Sequence, residues 1–157
     1  MIENTPRENL ITLATLNSIK ISGSRFEGNE GQVIRGYQLF AGETVITDCK
    51  FISNTYSRDN EGLVFLKESP DHAINIQNSD FIENNGDGQG GALHLKTDAN
   101  VDGCRFERNH ANEGGAIYLD PVANLKVTGS SFTGNTAKNA GGAIAACATS
   151  TEKCCKK

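Results

Sequence analysis

Histidines, cysteines and loop carboxylates are the side chains through which this 157-residue chain could do chemistry. The three histidines, His72, His94 and His110, occupy unrelated contexts. None has the nucleophile and carboxylate of a triad, or the four nitrogen and sulfur ligands of a structural zinc site. Carboxylates at Asp59, Glu61, Asp87 (in "NNGDGQGG") and Glu113 offer the hard oxygens that Ca²⁺ takes, and are weak candidates for it against simple solvation of a loop. Of the five cysteines, Cys147, Cys154 and Cys155 crowd "CATSTEKCCKK", which has no apolar periodicity and no paired C-x-x-C spacing with further ligands. Residues 147–157 are therefore expected to be a disordered tail. No cofactor is implied, and no G-x-S-x-G or phosphate-loop word occurs. The words that do recur, F-x-x-N and G-G-A-I, could pass for an active-site signature in any single copy.

They are not single copies. "ISGSRFEGN" (21–29), "ITDCKFISN" (46–54), "IQNSDFIEN" (76–84), "VDGCRFERN" (101–109) and "VTGSSFTGN" (127–135) align, with Phe26, Phe51, Phe81, Phe106 and Phe132 in steps of 25, 30, 25 and 26 residues. Asn29, Asn54, Asn84, Asn109 and Asn135 follow three residues later each time. A glycine-led block comes next: "GQVIR" (31), which fits poorly, then "GLVFL" (62), "GALHL" (91), "GAIYL" (115) and "GAIAA" (142). Five residues before each Phe stands Ile or Val, marking a short strand. Three before it stands Gly23, Asp48, Asn78, Gly103 or Gly129, the residue types that tolerate positive φ, so each repeat is expected to bend there. Two before it stands Ser24, Cys49, Ser79, Cys104 or Ser130, always small.

A strand, a one-residue bend, a Phe-led strand, a loop and a Gly-led strand are too few residues for a β-α-β unit. Leucine-rich repeats need an absent L-x-x-L-x-L ladder, and propeller blades are longer. The pattern predicts an all-β fold, a right-handed parallel β-helix (β-solenoid) of about five coils of 24–30 residues. Residues 1–18 form an N-terminal partial coil or cap, with Ile11 and Leu13 as a strand of it, and 19–146 form the repeats. In such a coil Phe26, Phe51, Phe81, Phe106 and Phe132 stack inside, and the asparagines make an amide ladder. G-G-A pairs are tight strand starts where φ is positive or a Cβ would clash. Cys49 and Cys104 share a column two coils apart, roughly 9–10 Å, and are expected to be free buried thiols. Alternation in the glycine-led block points Val64 and Leu66, Leu93 and Leu95, Ile117 and Leu119 inward. Phe65, His94 and Tyr118 then point outward, an aromatic ridge that could contact a sugar or protein unless the rings pack on each other or under a loop.

The net charge of −4 and the lack of a basic run before the last two lysines argue against nucleic acid. No run of 18 apolar residues spans a membrane, and "MIENTPRENL" has no apolar segment of a secretory signal. Asp80 falls beside Lys50 and Arg105 in one column, a mixed-charge stripe unlike the paired carboxylates of a glycosidase. The words "FEGN", "FISN", "FIEN", "FERN", "FTGN", "GGAL" and "GGAI" resemble the polymorphic outer-membrane protein repeats of chlamydiae and related β-helical autotransporter passenger domains. That resemblance covers about residues 19–146 and implies a β-helix displayed on a cell surface, often as an adhesin. The chain departs from the pattern at "EGQV" and "EGLV", where the double glycine is missing. The function expected is a non-enzymatic surface or adhesin-type repeat domain presenting a rigid ladder face to a protein or glycan. Two alternatives stand beside it: a structural subunit docking on neighbours through open solenoid ends, and a polysaccharide lyase or hydrolase.

Overall fold

The computed structural model describes residues 10–14, 18–37, 42–57, 61–67 and 73–146. Every strand pairing among them is parallel, no helix occurs, and the strands stack into four sheets that wind as a β-solenoid. An aliphatic sheet contains Ile19–Ser22, Thr44–Thr47, Ile74–Gln77, Ala99–Asp102 and Leu125–Thr128. A phenylalanine sheet contains Arg25–Glu27, Lys50–Ile52, Asp80–Ile82, Arg105–Glu107 and Ser131–Thr133. A glycine-led sheet contains Ile11–Ala14, Ile34–Tyr37, Val64–Lys67, Leu93–Lys96, Ile117–Leu119 and Ile144–Ala146. The fourth, short sheet contains Thr55–Tyr56, Asn85–Gly86, His110–Glu113 and Thr136–Ala140. It occupies the stretch read from sequence as a loop, because its first two strands are two residues long and the later two, HANE and TAKNA, carry no run of large apolar residues.

Identical residues meet in the register. Phe26, Phe51, Phe81, Phe106 and Phe132 are mutual partners, and their ring centroids are 4.9, 4.7, 4.9 and 4.7 Å apart, every pair stacked. Each buried ring contributes roughly 1.5–3 kcal/mol of transfer free energy. Beside them Ile46, Ile74, Ile76, Val101, Val64, Leu66, Leu93, Leu95 and Ile117 fill the coil interior. Ile11 pairs with Ile34 and Leu13 with Gly36, so the first described strand lies on the glycine-led sheet. The first glycine-led block is displaced by one residue from its sequence alignment: Ile34 pairs with Val64, which puts Gln32 where later coils have glycine. Its side chain donates to the Gly62 carbonyl at 2.8 Å, a bond the glycines cannot make.

The chain turns through left-handed residues. Gly23, Asp48, Asn78, Gly103 and Gly129 all have φ between 47° and 61°. A second such column, two residues after each Phe, holds Gly28, Ser53, Glu83, Arg108 and Gly134, with φ between 51° and 65°. Three of its five members are types that favour no left-handed conformation, so residue identity did not announce it. Between the two bends the small column carries more than a volume constraint. Ser79 Oγ donates to the Gln77 carbonyl at 2.7 Å and accepts the Cys49 N–H at 3.1 Å; Ser130 Oγ does the same for Thr128 and Cys104. Cys49 and Cys104 are free and buried, their thiols directed at the Thr47 and Asp102 carbonyls. Burial pushes the Cys104 thiol up to about 11.

The asparagines close the third corner. Asn84 Nδ2 donates to the Phe51 carbonyl and to Asn109 Oδ1, both at 2.9 Å, while its Oδ1 accepts Asn54 N–H and Nδ2. The same set joins Asn29 to Asn54 and Asn109 to Asn135. Four of the five are at most 1 % exposed. A side chain that repeats five times and bonds its own copy on the neighbouring coil is part of the frame.

Candidate functional site

Function must then come from the outward rows. On the glycine-led sheet Arg35, Phe65, His94, Tyr118 and Ala145 are successive partners, so Phe65, His94 and Tyr118 do form one column on adjacent coils. They are not an exposed ridge, which corrects the expectation: Phe65 is 3 %, His94 0 % and Tyr118 7 % exposed. At the same inter-strand spacing of about 4.8 Å at which the phenylalanines stack flat, these unlike rings tilt and cover one another. Their centroids are 5.0 and 4.9 Å apart in edge-to-face pairs, and Tyr37 adds a further edge contact to Phe65. Charged side chains lie along the row, with Arg35 over Tyr37 and Lys96 over Phe65. Arg35 pairs with Glu61 at 2.5 Å and Lys96 with Asp120 at 3.0 Å. His94 makes no hydrogen bond through either ring nitrogen, and Asp120 Oδ2 is 3.8 Å from its Nε2. Burial holds its pKa below the usual imidazole range, so the ring is neutral near pH 7.

The carboxylates considered for Ca²⁺ divide between two columns. Glu61, Gln89 and Glu113 follow one another, with Glu61 on Arg35 and the buried Glu113 accepting Gln89 Nε2 at 3.0 Å. Asp87 lies in a different row, accepting the Ser57 hydroxyl at 3.0 Å, and Asp59 and His72 fall outside the described residues. Among the described residues no three histidine, cysteine or acidic side chains are grouped to hold a metal. Asp80 pairs with Arg105, which also meets Glu107, and Arg108 pairs with Glu83 and Glu107. This outer stripe of the phenylalanine sheet is a network of exposed ion pairs, each worth little alone.

The short sheet carries the outward surface that sequence reading missed. Its inward positions are Tyr56, Gly86 and Ala111. Tyr56 lies across Gly86, at which a Cβ would overlap the ring, and its hydroxyl donates to the Gly90 carbonyl at 3.0 Å. Outward stand Thr55, Asn85, His110 and Thr136 in one row. Ser57, Asp87, Asn112 and Lys138 follow two residues later in each strand. Together Thr55, Tyr56, Asn85, Gly86, Asp87, His110, Asn112 and Lys138 line an open groove of about 370 Å³. His110 Nδ1 meets Thr136 Oγ1 at 2.9 Å, and Asn112 Nδ2 donates to the Asp87 carbonyl. The only signal in the sequence was a run of small polar residues after each ladder asparagine.

Stacked identical residues inside and individual rows outside define the class: a parallel β-solenoid repeat domain. Two stretches, residues 103–120 and 129–147, match the Chlamydia polymorphic membrane protein repeat. Each begins at a left-handed glycine, passes through the Phe and Asn rungs and a double glycine, and reaches the end of a glycine-led strand. No curated protein and no solved structure matches the chain. No helix among the described residues is long and apolar enough to cross a membrane.

Proposed function

We propose that this is a non-enzymatic, adhesin-type repeat domain, displayed at a cell surface, that holds outward side chains in fixed rows for a protein or glycan partner. The observation that carries the reading is the two-segment match to a membrane-protein repeat on coils whose repeated residues are consumed by the frame. A lyase or hydrolase finds little support, since the outward carboxylates of the phenylalanine sheet are held by Arg105 and Arg108. Docking of neighbouring subunits through the solenoid end is the second reading. Adhesion is tested with beads coated with folded chain or urea-unfolded chain and offered to cultured cells. Selective retention of the folded form supports the proposal; equal retention of both sinks it. Concentration-dependent growth of assemblies in sedimentation would favour the second reading.

A further inference from the structure

We infer that the groove on the short sheet is a binding site for an acidic sugar, with Lys138 taking the carboxylate and the Asn85, Asp87, His110 and Asn112 side chains taking hydroxyls. The inference rests on the reading of the domain as a ligand-presenting module and names the face and the ligand class. Its first support is chemical. The side chains that stand outward in the groove are all polar, its size is that of a small-ligand site, and Tyr56, which also lines it, is buried. Main-chain groups of the short sheet are paired between coils, as in Asn85 N–H to the Asn54 carbonyl and His110 N–H to the Asn84 carbonyl. Across the groove floor an extended peptide would therefore find no unpaired main chain and no apolar pocket; among the described residues the sheet's outer strand is Thr136–Ala140. A sugar, with donors and acceptors alternating around a ring about as long as one inter-strand step, matches rows spaced that way.

Charge decides which sugar. Arg105, Arg108, Arg35 and Lys96 are all committed to carboxylates of the frame. Lys138 is the groove's single fixed cation and has no ion pair among the described residues. Asp87, the groove's carboxylate, accepts the Ser57 hydroxyl. Asn85 is exposed, and with His110 Nδ1 held by Thr136 the other ring nitrogen is left for a ligand.

The second support is a break in the repeat. The ladder slips where Ala111 faces Ala137 but Glu113 faces Ala140, and also one coil earlier, where Asn85 faces His110 but Gln89 faces Glu113. At the first of these the extra residue is a bulge at Lys138–Asn139, opposite Asn112. Bulges re-aim side chains and gather beside binding sites. Here the bulge carries the cation of the groove.

The full chain should be titrated by calorimetry at low salt with 3′-sialyllactose, with a glucuronate-terminated disaccharide and with lactose. Saturable binding of an acidic probe is expected, at least about tenfold tighter than lactose, falling about tenfold or more in K138A as one charge-assisted hydrogen bond is lost. Lys126→Ala, on the aliphatic sheet, should bind as the parent does. Circular dichroism of K138A should be unchanged, because Lys138 is exposed. Three results would overturn the assignment: no binding of either acidic probe, equal binding of lactose, or full binding by K138A. If beads coated with the chain still adhere to cells in that case, only the groove assignment fails and the adhesion reading survives.

Discussion

Replacing Asn84 with alanine tests the claim that the asparagines build the chain. Asn84 is fully buried and its side chain makes four hydrogen bonds, to the Phe51 carbonyl, Asn109 Oδ1, Asn54 N–H and Asn54 Nδ2. Alanine removes all four and strands the Asn54 main-chain N–H, one Asn54 amide hydrogen and the Phe51 carbonyl. At roughly 1–3 kcal/mol for each of the three buried groups left unpaired, the loss should be about 3–9 kcal/mol. Asn135→Ala removes an equivalent rung from a half-buried position, where water can reach the freed groups, and should cost about 1–2 kcal/mol. Asn84→Asp keeps the shape but turns the donor toward the Phe51 carbonyl into an acceptor. Its carboxyl must protonate to fit, so its folded pKa is raised above the ordinary value near 3.9. This variant is therefore least destabilised at low pH, and loses stability as pH rises through the folded pKa. Urea unfolding followed by far-ultraviolet circular dichroism suits a chain without tryptophan. Slopes must be compared as well as midpoints, because a solenoid can unfold coil by coil. Asn84→Ala costing under about 1 kcal/mol, or no more than Asn135→Ala, would refute the ladder as a source of stability.

Gly86→Ala should destabilise by about 1–3 kcal/mol or more, since the new Cβ overlaps the Tyr56 ring. Combining it with Tyr56→Ala should then cost less than the two single losses added, and strict additivity in urea melts would contradict the packing. His94→Phe should flatten the acid side of the stability profile. The folded His94 pKa lies below its unfolded value near 6.5, so the unfolded chain binds the extra proton. Native stability from this residue is complete above pH 6.5 and is lost as pH falls toward the folded value. Parallel profiles for the parent and the variant between pH 7 and 5 would dismiss the idea.

Repetition made the interior legible. A Phe every 25–30 residues, with Asn three later and Gly, Asp or Asn three earlier, leaves few arrangements other than stacked coils. The same column logic told which cysteines share a column and lie too far apart to bond: Cys49 and Cys104 are free, with Ser79 on the coil between them. Three features escaped it, each for a physical reason. The second left-handed column is filled by Ser53, Glu83 and Arg108, whose strain is borne by neighbouring coils and leaves no mark in residue type. The short sheet is held by only one to three main-chain pairs per step, as at Thr55–Asn85–His110, so no periodicity reveals it. Alternation correctly sent Phe65, His94 and Tyr118 outward, yet outward is not exposed. The rings tile on one another, and Lys96 crosses Phe65.

That last distinction bears on where function can reside in any solenoid. A residue repeated on every coil meets its own copy above and below, and its hydrogen-bonding capacity is spent there, as in the asparagine ladder. Recognition needs groups that are not satisfied by their neighbours, so it should be sought where one coil differs from the next. On the aliphatic sheet Asn75, Asn100 and Lys126 vary along a row, but Asn100 donates to Asn75 Oδ1 at 3.0 Å and the strands keep register. On the short sheet Ser57 bonds Asp87 and His110 meets Thr136, but the Asn85 and Lys138 side chains make no hydrogen bond or ion pair among the described residues, and the ladder itself slips at Lys138. Phe106 and Asn109 are spent on their own copies, whereas the groove that begins at His110, four residues after Phe106, is lined by side chains that differ from coil to coil.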